Sequence, residues 1–306
     1  MLGLKKVMCK ELIVGDNPFH GISHLSQERA RNRNKFMSSS IEKANLVLSS
    51  FENGATGFMF SVSEITLSIL KAMRQKENVE DKALYAIVPY TFEYVRTATQ
   101  TGTPSLAKRF VTQLASSRDV KTLLKGFKAL TRLNPSNLLE TYIAYEISRI
   151  KSSIGKHANL ASVFLHEVLT DMALALDLEW VFTSHIAYLS RIGIAPGFHT
   201  RNFPYLIEKF DKWQIDLNNL LITTPFNKVG FQMNPSRDAC EKTLKGLSNP
   251  IILAISVLAS GYVKPPEAIE YIAGLDNIRG VVAGVSNEKQ AIETFNLFQK
   301  NLSHFC

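Results

Sequence analysis

The chain has 306 residues, 45% hydrophobic and 20% charged, with 35 Lys and Arg against 27 Asp and Glu; this supports a buried core and excludes intrinsic disorder. Cys9, Cys240 and Cys306 are far apart and odd in number, which excludes a disulfide framework or zinc ribbon and predicts a reducing, cytoplasmic setting. No run of about 18 uncharged apolar residues occurs, residues 1–10 are too short and charged for a secretory leader, and the net charge of +8 is gathered in a few places.

In chain order, the first predicted strand covers 11–15 (ELIVG) and runs into Asp16, Asn17 and His20. A basic cluster follows, in which Arg29, Arg31, Arg33 and Lys35 outnumber Glu28 and are expected to attract an anion. Residues 41–53 read as an amphipathic helix with Ile41, Ala44, Leu48 and Phe51 on one face, ended by a left-handed cap at Asn53-Gly54. Strands are predicted at 55–61 and 83–89, the second of them reaching Pro89 and leading to Tyr90.

The stretch 91–157 is then far longer than one crossover helix needs, so it is predicted to be a helical insertion serving as a lid or a subunit contact. Between 96 and 156 stand eleven basic and three acidic residues, which carry the whole net charge. Within it, 121–133 sets Leu123, Leu124, Phe127 and Leu130 against Lys121, Lys125, Lys128 and Arg132. This helix either covers an apolar surface of its own protein or binds an anionic membrane or nucleic acid.

Five more strands are predicted at 160–166, 193–198, 219–224, 250–256 and 280–285, each followed by helical periodicity. The last helix starts at Ser286 as N-cap, with Ile292, Phe295 and Phe298 on one stripe. Eight strand–helix repeats in one chain predict an α/β protein, a (β/α)8 TIM barrel forming a single domain over 1–306. A doubly wound open sheet is the alternative, and the absence of GxGxxG and GxxxxGK[ST] after the first strand removes its dinucleotide and P-loop forms.

Barrel active sites are built just after the strands, so polar residues there are the candidates. Asp16, His20, His166, Glu167 and His199 supply acid/base groups and nitrogen and oxygen donors for a divalent metal ion, although no HExxH-type motif is present. Tyr90 could donate a proton, and Asn17, Arg201 and Lys228 could hold a substrate. Lys228 also raises Schiff-base chemistry, but a Gly-flanked loop predicts an exposed, protonated amine. Near the carboxyl end, Ser286 and Asn287 would open the last helix toward a phosphate, and Ser260-Gly261 would let backbone approach a ligand closely.

From about 161 to 298 the chain resembles the aldo-keto reductases, NADP-dependent (β/α)8 barrels. The resemblance is carried by Leu165-His166, by Pro225-Phe226-Asn227, by ILAISVLASG at 252–261 and by VAGVSNEKQAIETF at 282–295. It implies a nicotinamide cofactor held by Asn227, Ser256, Ser260, Gly261, Ser286 and Asn287, and an acid/base or orienting role for His166. The family's Asp and Tyr after strand two and Lys after strand three have no counterparts here: strand two reads GFMFSVS and strand three ends in Pro89-Tyr90.

Three functions are therefore expected to compete. One is a diverged NADP-dependent oxidoreductase acting on a small anionic or carbonyl substrate. The second is a metal-assisted or acid/base isomerase, lyase or hydrolase using the Asp/His/Glu rim. The third is a catalytically silent barrel that binds nucleic acid or lipid through its basic insertion. A homo-oligomer fits any of them.

Overall fold

The computed structural model describes residues 11–20, 39–76, 79, 81–89, 135–155 and 158–302. Eight strands form a closed parallel barrel in the order β1 to β8. They are β1 (Glu11–Gly15), β2 (Gly57–Ser61), β3 (Ala83–Val88), β4 (Leu160–Leu165), β5 (Ala195–His199), β6 (Leu221–Pro225), β7 (Ile251–Ile255) and β8 (Ile278–Gly284). Strands covered on both faces read as continuous apolar runs, and β2 (GFMFS) is buried along its whole length. Among the described residues no helix is long and apolar enough to cross a membrane.

By its contacts the chain divides into two compact units, Phe60–His199 and the pair of segments Met1–Met59 and Thr200–Cys306. In the second of these, α1 (Ser40–Glu52) begins with a reciprocal cap: the Glu42 N–H donates to Ser39 Oγ and the Ser39 N–H to the Glu42 carboxylate, each at 3.1 Å. Its inner face is Ala44, Val47, Leu48 and Phe51, whereas Ile41, expected on that face, is 55% exposed. The left-handed backbone expected at Asn53-Gly54 falls on Gly54, with φ +105°, while Asn53 has φ −99°.

In the same unit β1 pairs with β2 and β8, and β7 with β6 and β8. Beside α1, the described helices of this unit are α6 (Phe203–Lys212), α7 (Arg237–Lys245), α8 (Pro265–Ala273) and α9 (Glu288–Leu302). Phe295 and Phe298 of α9 are buried as predicted, but Ile292 is 40% exposed and Ala291 and Thr294 complete the inner face instead.

The unit Phe60–His199 holds β3, β4 and β5 with α2 (Glu64–Lys76), α3 (Pro135–Ile154), α4 (Glu167–Ala175) and α5 (Glu179–Arg191). Of the expected insertion at 91–157, residues 135–154 form the 20-residue α3; the basic segment 121–133 lies outside the described residues. Arg149 of α3 donates to Glu146 at 2.9 Å and to Glu64 of α2 at 2.6 Å, so one guanidinium compensates the carboxylate of Glu146, which is 1% exposed. Gly197 in β5 is there for space: a Cβ at this position would meet the Phe164 ring at 2.5 Å.

Candidate active site

Three of the predicted site residues come together in the unit Phe60–His199. β4 ends at Leu165, and the next residue, His166, leaves the strand in an extended conformation to cap α4. Its Nδ1 accepts the Val168 N–H at 3.2 Å, so the proton of the neutral ring sits on Nε2. The backbone is fixed as well, with the His166 N–H on Val88 O at 2.8 Å and the Thr170 N–H on His166 O at 3.0 Å.

Glu167 is the first residue of α4, where the amino end of a helix favours a carboxylate. Its Oε2 lies 3.2 Å from Nε2 of His199, the last residue of β5, with the two side chains 12% and 13% exposed. The rings of His166 and His199 meet edge to face, their centroids 6.0 Å apart. A carboxylate beside one imidazole nitrogen stabilises the imidazolium, and both ring nitrogens of His199 are buried from solvent. One imidazole is thus backed by a carboxylate and its neighbour is set as a neutral donor.

The other unit carries a second carboxylate–imidazole pair. After β1 the chain makes a 3-10 turn over Asn17–His20, closed by the Phe19 N–H on Asp16 O at 2.8 Å. This places His20 Nε2 2.9 Å from Asp16 Oδ2, both side chains almost wholly buried, whereas Asn17 is exposed. Among the described residues no group of three or more His, Cys, Asp or Glu side chains is arranged to hold a metal ion.

The residues expected around a cofactor sit in varied settings. Asn227 is fully buried and braces its own loop, accepting the Phe231 N–H at 2.7 Å and donating to Phe231 O at 2.8 Å. After β7, Ser256, Ser260 and Gly261 all have left-handed backbone, with φ 54°, 60° and 95°. Such a run of strained positions is costly for the two serines and is commonly found at ligand clamps. At the end of β8 the Ser286 N–H donates to Gln290 Oε1 at 3.0 Å and the Gln290 N–H to Asn287 Oδ1 at 2.9 Å. Asn287 therefore caps α9 in place of Ser286.

Lys228 is half exposed, its Nζ 3.5 Å from the Glu267 carboxylate. Arg201 is half-buried just after β5, its carbonyl accepting the Asn234 N–H at 3.2 Å. Ser63, after β2, exchanges hydrogen bonds with Thr66 and starts α2, so its hydroxyl has a capping role. Tyr90, Arg29, Arg31 and Arg33 lie outside the described residues.

His185 is a residue that reading strand ends passes over, because it sits inside α5. It is wholly buried, and its Nε2 lies 3.0 Å from Val163 O and 3.1 Å from Gly197 O. Burial lowers its pKa to about 4, so the ring is neutral and its Nε2–H is shared between two strand carbonyls. The available signal is its position on the apolar face Val181, Phe182, His185, Tyr188 and Leu189.

No family model matches the chain, and no curated protein sequence matches it. Solved structures do. A Pseudomonas aeruginosa chain described as a "putative aldo-keto reductase" superposes with a TM-score of 0.60 at 11% identity, over 98% of this chain and 94% of the other. Another from the same organism, with the same description, gives a TM-score of 0.57 at 12% identity, over 95% and 90%. At such identity the likeness is one of fold, a parallel (β/α)8 barrel similar to those of the two chains described as reductases.

Proposed function

We propose that this aldo-keto-reductase-like barrel is a small-molecule oxidoreductase acting on an anionic or carbonyl substrate, with proton transfer assigned to His199 and Glu167 and substrate orientation to His166. The observation that carries this reading is the 3.2 Å contact between Glu167 and His199, shielded from solvent just where β4 and β5 end. Carbonyl reduction needs a proton delivered to the substrate oxygen. That delivery is assigned to the His199 imidazolium, stabilised by Glu167, and the orienting hydrogen bond to the same oxygen is assigned to His166.

NADP, when bound, supplies or accepts the hydride. Ser256, Ser260, Gly261, Ser286 and Asn287 are the residues assigned to hold it. They suit it in type: the Ser286 N–H already carries an oxygen acceptor from Gln290, an exposed side chain that a phosphate oxygen could replace. Asn227, whose amide is committed to Phe231, is assigned the shape of that loop.

The test is an NADPH titration of the purified protein by calorimetry, followed by turnover assays with carbonyl and keto-acid substrates. Binding at micromolar Kd, with kcat lowered about 10²- to 10⁴-fold in both His199→Gln and Glu167→Gln, is the expected result. No binding at millimolar NADPH would leave the chain without this function. The buried Asp16–His20 pair favours the second reading in that event, a cofactor-independent acid/base isomerase, lyase or hydrolase.

A further inference from the structure

We infer that His185 is a positioning residue, a clamp from α5 onto β4 and β5 that holds Glu167 and His199 at their working distance. The inference rests on the acid/base role proposed for that pair. One ring nitrogen touches carbonyls of two adjacent strands at nearly equal distances, 3.0 Å to Val163 and 3.1 Å to Gly197. Val163 lies three residues before His166, and Gly197 two before His199. At about 3.3 Å per residue, the clamp sits roughly 7–10 Å along the strands from the site.

The packing around it leaves the end of β5 little freedom. The His185 ring lies 5.3 Å from that of Phe198, which in turn is 5.4 Å from Phe182 of α5. The Phe164 ring occupies the space a side chain at 197 would need. The segment Gly197–His199 is therefore held by α5 through both backbone and side chain, and by Phe164 through van der Waals contact. An apolar residue would suit the inner face of α5 better on burial alone, since Nδ1 of His185 has no hydrogen-bond partner among the described residues. The bridging Nε2–H is what an apolar residue lacks.

The experiment uses the full chain and reads the His199 ring carbon–proton resonance by NMR, assigned by its loss in His199→Gln. His185→Phe keeps an aromatic ring and deletes the donor. His185→Gln keeps an N–H at the same bond count from Cβ. Leu189→Ala, on the same buried face of α5, is the control for simple destabilisation.

In His185→Phe the His199 resonance is expected to move and kcat to fall on the order of 10- to 100-fold with KM little changed; His185→Gln restores both, and Leu189→Ala leaves the resonance in place. An unmoved resonance in His185→Phe, or an equal displacement in Leu189→Ala, overturns the clamp. If His185→Phe does not fold, His185→Gln decides: a native resonance supports the clamp and a displaced one sinks it. The resonance needs no substrate, so a displaced signal in His185→Phe, restored in His185→Gln, beside a wild type that turns nothing over, refutes the proposed function and leaves the clamp standing.

Discussion

At the scale of single residues, the half-buried Glu11 and the wholly buried His185 set opposite pH dependences. Burial raises the Glu11 carboxyl from 4.5 to about 7, so between those values the folded chain keeps a proton that the unfolded chain has lost. Its contribution to stability therefore falls as pH rises through that window. His185, lowered from 6.5 to about 4, behaves the other way: the unfolded chain binds the extra proton, and stability rises with pH from about 4 to 6.5. The two slopes oppose each other where the windows overlap. Glu11→Gln should accordingly raise stability above pH 7 and expose a loss on acidification toward pH 4, as seen in urea midpoints across pH. An unchanged profile would contradict the assigned Glu11 shift. Gly197→Ala, whose methyl would meet the Phe164 ring, should cost about 1–3 kcal/mol in the same assay.

At the scale of elements, local chemistry decides where helices start. The reciprocal Ser39–Glu42 cap makes Ser39→Ala a loss of about 1 kcal/mol, measurable by denaturant unfolding, with kcat unaffected. His166 caps α4 through Nδ1, and the proposed function gives its ring a second duty. His166→Asn keeps a capping side chain but loses the ring, so it should retain most of the stability while lowering turnover. A His166→Asn protein with full activity would confine the residue to the cap. The helical period also misplaced two residues: Ile41, in the first turn of α1, is exposed although Ala44, Leu48 and Phe51 are buried, and in α9 the inner face is shifted from Ile292 onto Ala291 and Thr294. Spacing gives the width of an apolar face, and the packing partner chooses its centre.

For the molecule as a whole, a cofactor that binds the folded chain alone must stabilise it. NADPH at 100 times its Kd should add about 2.7 kcal/mol, and Tm should climb with ligand concentration. A Tm indifferent to millimolar NADPH would argue for the cofactor-independent reading. The pairing of β4 with β5 brings the candidate site together, since His166 and Glu167 follow β4 and His199 ends β5.

All eight strands are legible in the amino-acid sequence, because strands buried on both faces leave continuous apolar runs between helical stretches, and only their ends shift by a residue or two in the barrel. The strand-end rule also picks out His166, Glu167 and His199, since it follows from chain direction in a barrel. Sequence could not say that Glu167 pairs with His199, thirty-two positions away, because that contact exists only once two strands lie side by side. Nor could it distinguish Asn227 as a loop brace from Asn227 as a ligand contact, since an amide does either and only its neighbours decide. His185 was hidden for the same reason: its role belongs to two carbonyls far from it in the chain, which tertiary structure alone brings within reach of one N–H.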